Sequence, residues 1–144
     1  MTIKGGINHV ILRVQNLQQS EKFYSGILGL TLVGQRTSMS FYSSGHYNHE
    51  LALVEDPSIT LASIQHSGLL HIAFNVEDMT TLKTIYQTLK NAGYPVSTGV
   101  DHNVSCSFYT RDTDGYLIEL TTDCAPHKWG QDTHAFKLDK AFRL

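Results

Sequence analysis

The strongest constraint on the fold of this chain is that it carries one pattern twice. The stretch His9-Val-Ile-Leu-Arg-Val-Gln-Asn-Leu, leading on to Phe23-Tyr24, aligns without a gap with His71-Ile-Ala-Phe-Asn-Val-Glu-Asp-Met, leading on to Ile85-Tyr86. His9 falls on His71, Val14 on Val76, Asn16 on Asp78, Leu17 on Met79 and Tyr24 on Tyr86. Such self-similarity marks a duplicated supersecondary unit. Two units packed about a pseudo-two-fold axis bring corresponding side chains together, so histidines far apart in sequence can share one site. Paired histidines point to a metal.

The 144 residues fit one domain by size and can bury a core without disulfide or metal staples. An apolar fraction of 41%, a charged fraction of 17% and a net charge of -2 describe an ordinary globular chain with no general attraction to nucleic acid or anionic membrane. No stretch reaches the roughly 18 apolar residues of a spanning helix, and the N-terminus lacks the apolar core of a signal peptide. Cys106 and Cys124 follow neither CxxC spacing nor a disulfide-scaffold pattern, so a cytoplasmic location is expected and neither thiol is assigned a catalytic role. Cys106 is expected as a small buried strand residue.

Ile7 to Val14 alternate in polarity and are rich in aliphatic residues, which predicts a strand with one buried face. A helix follows, with Asn16 as N-cap, Leu17, Phe23, Tyr24, Ile27 and Leu28 near helical spacing, and Gly29 as the stop. Short apolar runs at Thr31 to Gln35, Ser38 to Ser43 and His49 to Glu55, separated by Gly, Ser and Asn, predict a three-stranded meander. The second copy repeats the order: a strand at Leu70 to Val76, Asp78 as N-cap, a helix to Gly93, then strands at Pro95 to Thr98, Ser105 to Thr110 and Tyr116 to Thr121. Each copy is therefore βαβββ. Asp56 to Ser67 reads as the linker, Arg111 to Gly115 as a tight turn, and nothing firm is placed beyond Thr122.

Tandem βαβββ units with a histidine opening each and a carboxylate on the last strand resemble the vicinal oxygen chelate superfamily. Its members include glyoxalase I, fosfomycin and bleomycin resistance proteins and the extradiol ring-cleaving dioxygenases. The resemblance is carried by Asn8-His9-Val-Ile-Leu-Arg-Val, Phe23-Tyr24, Leu28-Gly29-Leu30, Leu70-His71-Ile-Ala-Phe and Phe108-Tyr-Thr-Arg-Asp-Thr-Asp-Gly-Tyr-Leu-Ile-Glu119-Leu. Thr113 departs from the family turn, which usually has proline there. The resemblance implies an α+β fold in which two modules, about residues 5–56 and 68–122, form one domain over 5–122, a curved mixed sheet around a metal-containing cavity. It also implies His9, His71 and Glu119 as metal ligands, and a homodimer. Two imidazoles and one carboxylate occupy one face of a divalent ion and leave positions open, the arrangement of non-haem Fe(II) oxygen chemistry. Fe(II) is the expected ion, with Mn(II), Ni(II) and Zn(II) as alternatives. Taken singly, a strand histidine is more often a packed or surface residue; equivalence by repeat and the terminal Glu119 set these three apart.

Within the superfamily, the chain is most similar to the extradiol branch. His49 in His49-Glu50-Leu-Ala-Leu53, His102 in the loop before the penultimate strand, and Tyr109, ten positions ahead of Glu119, match that branch's catalytic positions. The implied substrates are a small catechol-like aromatic and dioxygen. A catechol loses protons as it chelates, so a histidine can accept and return them, and Tyr109 and His102 can hydrogen-bond where charge develops. The alternative is a glyoxalase I-like lyase in which Glu50 overlays Glu119 as a fourth ligand and Arg13 serves a glutathione adduct. Neighbours on a strand face opposite sides, so only one of His49 and Glu50 enters the cavity; His49 is preferred because it brings His102 and Tyr109 with it. A ligand-sequestering resistance protein is a third reading, against which the full ligand set argues, and a thiol transferase would need a denser cationic cluster than this chain offers. The tail, residues 123–144, with Pro126, His127, Lys128, Trp129 and His134, is expected as a lid, a partner-packing segment or a surface appendage.

Overall fold

The computed structural model describes residues 7–60, 68–123 and 139–144. The chain is α+β and divides into two compact units, Met1–Leu61 and Ala62–Leu144. The first runs β1 (Val10–Val14), α1 (Leu17–Tyr24), β2 (Thr31–Arg36), β3 (Met39–Ser43) and β4 (Leu51–Glu55). The second runs β5 (Ile72–Asn75), α2 (Met79–Asn91), β6 (Gly99–Asp101), β7 (Ser105–Arg111), β8 (Leu117–Asp123) and β9 (Lys140–Phe142). Their sheets have the orders β1-β4-β3-β2 and β5-β8-β7-β6-β9. In each, the opening strand lies parallel to the fourth, and the meander is antiparallel. The duplicated βαβββ topology is thus present in both halves.

Local chemistry explains the elements. On β1, Leu12 and Val14 are buried while Ile11 and Arg13 are exposed, the period-two signature of a strand with one covered face. Asn16 caps α1 by accepting from the Gln19 amide at 2.9 Å, and Asp78 caps α2 by accepting from the Thr81 amide at 2.7 Å. The core of the first unit joins Leu17, Phe23 and Tyr24 of α1 to Leu12, Val14, Tyr42, Leu51 and Leu53 of the sheet. In the second, Leu82 and Leu89 of α2 lie with Phe108, Ile118 and Leu120, and the Tyr86 ring meets Phe108 edge-on at 5.3 Å.

Several boundaries differ from the sequence-based expectation, each for a local reason. Helix α1 ends at Tyr24, and Ile27 and Leu28 continue as turns whose amides both bond to the Phe23 carbonyl. The strand expected at Pro95 to Thr98 forms as β6 at Gly99–Asp101, with only one bridge, Val96 to Thr110, upstream. Proline supplies no ladder donor, and two residues on the Ser97 amide donates to the Tyr109 carbonyl at 2.9 Å while the return bond, from the Tyr109 amide at 2.9 Å, goes to the Ser97 hydroxyl, so a side chain completes the pair. His9, His71 and the pair His49-Glu50 sit just before their strands rather than within them. Beyond Thr122, where no element was expected, β8 runs on to Asp123 and β9 pairs with β6. Tail residues Pro126, His127, Lys128, Trp129 and His134 lie outside the described residues, as does Cys124.

Candidate metal and substrate site

In the second unit, β8 alternates so that Ile118 and Leu120 face the core with α2, while Glu119 turns to the opposite face with its register partners Ala73 on β5 and Tyr109 on β7. Glu119 is 8% exposed, and a carboxylate this far from water requires polar partners. It has them. His71 Nε2 lies 3.0 Å from Glu119 Oε2, and His102 Nε2 lies 3.8 Å from Glu119 Oε1. The Tyr109 ring stands edge-on to His71 at 5.7 Å. Burial raises the Tyr109 pKa, and the charges of Glu119 and Asp139 and a hydrogen bond to Glu119 push it the same way, so the phenol stays protonated and donates to Glu119. The second unit therefore draws His71, His102, Tyr109 and Glu119 into one cluster.

In the first unit, the His9 ring lies 4.6 Å from the His49 ring, and His49 stands edge-on to Phe41 at 5.3 Å. His9 Nδ1 is 2.9 Å from Asn8 Oδ1, a contact in which Nδ1–H donates to the amide oxygen and leaves Nε2 as the free lone pair. Glu50 turns elsewhere: its carboxylate accepts from the Ser44 amide at 2.9 Å, the Ser44 hydroxyl at 2.8 Å and the Tyr47 amide at 3.2 Å, closing the loop between β3 and β4.

The strand registers correct the overlay of Glu50 on Glu119. Ala73 pairs with Glu119 in the second unit, and its counterpart Ile11 pairs with Ala52 in the first. Ala52, not Glu50, occupies the position equivalent to Glu119, and by the same count Phe41 answers to Tyr109. Arg13, the other mark of the lyase alternative, is largely exposed with its guanidinium 3.8 Å from Asp56.

The donor set suits a divalent ion. An ion about 2.1 Å from each of two donors at right angles separates them by about 3.0 Å, which is the His71–Glu119 spacing. Among the described residues no three His, Cys, Asp or Glu side chains stand together so that they could hold a metal ion; the pair whose spacing suits two ligands is His71 with Glu119.

Sequence reasoning missed Asp139, whose Oδ1 lies 2.7 Å from His102 Nδ1. Its 37-residue separation from His102 left no local signal. Cys106 is buried on β7 as expected but is disulfide-bonded, which the reading of two ordinary thiols did not anticipate. No helix among the described residues is long and apolar enough to cross a membrane.

Biphenyl-2,3-diol 1,2-dioxygenase 3 of Rhodococcus globerulus is 30% identical over 125 residues, covering 85% of this chain; the chain spans just under two thirds, 66%, of that relative. Metallothiol transferase FosB of Staphylococcus haemolyticus is 36% identical over 120 residues, covering 81% of this chain and 83% of the relative. The solved glyoxylase/bleomycin resistance protein/dioxygenase domain of Frankia sp. shares the fold at a TM-score of 0.69 and 26% identity, covering 83% of this chain and 98% of that one. Dioxygenases and thiol transferases thus both stand among the relatives. With the family model matched across residues 6–120 and the tandem βαβββ fold in both halves, this chain belongs to the Glyoxalase/Bleomycin resistance protein/Dioxygenase superfamily.

Proposed function

We propose that the protein is an Fe(II)-dependent extradiol-type dioxygenase that opens a catechol-like ring. The observation carrying this reading is the company kept by the buried Glu119 carboxylate: His71 at 3.0 Å, His102 at 3.8 Å and the protonated Tyr109. His71 and Glu119 would hold the ion, and His9, assigned by the repeat and the family resemblance, is the third ligand. A divalent ion so held supplies Lewis acidity and open positions for a bidentate diol and dioxygen. Both oxygen atoms end in the ring-opened product, so no external reductant is required.

The chain's own side chains supply the rest. His49, its ring tilted against that of His9 at 4.6 Å, accepts a proton from the diol and returns it to the product side. Tyr109 donates a hydrogen bond to the deprotonated substrate oxygen, and His102 orients the substrate or dioxygen. Phe41, edge-on to His49, gives an aromatic ring a flat neighbour. The lyase reading loses its fourth ligand, since Glu50 is engaged by its own loop and Ala52 carries no donor. The groups around Glu119 are imidazole and phenol rather than the several cations that would hold a phosphonate, which favours a diol over the thiol-transfer chemistry named for the FosB relative.

The test is anaerobic loading with Fe(II), then a panel of catechols in air. Oxygen uptake with a yellow ring-fission product is expected, falling at least about 100-fold in His71→Ala. Thiol addition or hemithioacetal isomerisation without oxygen uptake would overturn the proposal, as would tight binding of an aromatic ligand without turnover.

A further inference from the structure

Outside the four clustered side chains, one residue reaches the site from a distant segment. Asp139 immediately precedes β9, and β9 pairs antiparallel with β6 through Gly99 to Phe142, Val100 to Ala141 and Asp101 to Lys140. The pairing depends on a missing side chain: a Cβ at Gly99 would lie 2.7 Å from two ring atoms of Phe142, so the ring seats where glycine leaves room. On the other side of Asp101, the chain turns through Asn103, which takes a left-handed φ of 70° tolerated by asparagine, and the His102 amide bonds to the Ser105 carbonyl at 2.8 Å. The turn and the docked strand thus bring His102 and Asp139 face to face.

We propose that Asp139 is a positioning residue: by accepting from His102 Nδ1 it fixes the ring and keeps a proton on Nδ1, so that Nε2 is the edge turned toward Glu119 and the substrate. The assignment deepens the function proposed above and rests on it. An ionised carboxylate only accepts, so at 2.7 Å the proton of that contact resides on Nδ1 of His102. With Nδ1 so engaged, the other ring nitrogen, Nε2, is the edge left facing the site, 3.8 Å from Glu119 Oε1. Asp139 is 64% exposed, so the contact adds little to stability, and orientation is the effect left to it. The tail of the chain is then part of the site, through one carboxylate.

The test uses the full chain with 15N-labelled histidine. In the metal-free protein, the two-bond proton–nitrogen spectrum should show His102 as the Nδ1–H form. Asp139→Ala should convert it to a tautomer mixture, Asp139→Glu should restore it, and Phe142→Ala, which undocks β9, should reproduce the loss. In the Fe(II)-loaded enzyme, Asp139→Ala should lower kcat roughly 10- to 100-fold with KM nearly unchanged. An unaltered His102 tautomer in Asp139→Ala would overturn the proposal, as would a changed tautomer with unchanged kcat. If the wild-type protein opens no catechol yet the tautomer shifts, the positioning contact stands and the dioxygenase reading fails.

Discussion

Glu50 shows how little an acidic residue in a motif says before its partners are known. From sequence it competed with His49 for the cavity; in the structure it ties the Ser44–Tyr47 loop. Burial pushes its carboxyl up, but hydrogen bonds from the Ser44 hydroxyl and amide, the Ser43 hydroxyl and the Tyr47 amide outweigh that and hold its pKa below the ordinary value. A carboxyl with a depressed folded pKa adds stability above its unfolded pKa and loses it as pH falls through the folded value. Glu50→Gln should therefore destabilise the protein at pH 7 by about 1 kcal/mol. The gap from wild type should shrink as denaturant midpoints are measured downward from about pH 5 to pH 3. His9, His71 and Glu119 stand out as candidates in the sequence because a repeat and a carboxylate on the last strand point to them. Asp139 was not, because its partner is fixed by tertiary pairing alone.

At the scale of elements, helices and the central strands were readable, since Asn16 and Asp78 caps and the alternation on β1 act locally. The edge of the second sheet was not. Pro95 and Ser97 displaced β6 toward Gly99, and β9 has only three residues, too few for any periodicity to register. Its existence rests on the fit of Phe142 to Gly99. Gly99→Val should consequently raise amide exchange across Lys140–Phe142 by about tenfold or more, the effect of losing about 1.4 kcal/mol or more of local protection. Thermal stability should change little, because core strands β7 and β8 keep their pairing. Unchanged exchange would mean that the ring is not what seats the strand.

At the scale of the molecule, the duplication predicted the fold of each half, while the division of labour between halves became visible only in the registers. With the proposed ligands, one ion binds per chain. His9→Ala and His71→Ala should each abolish tight binding, rather than leaving a half-site intact. Saturating metal at about 100 times Kd should stabilise the wild type by about 2.7 kcal/mol, read as a rise in Tm that both variants lack. Calorimetric titration giving two ions, or one ion retained in either variant, would contradict the proposed ligand set. The alanine at position 52 has a bearing on what such a centre attracts. Twin acids would cancel the two positive charges of a divalent ion, whereas a lone acid leaves it one unit positive, poised for a ligand that arrives as an anion.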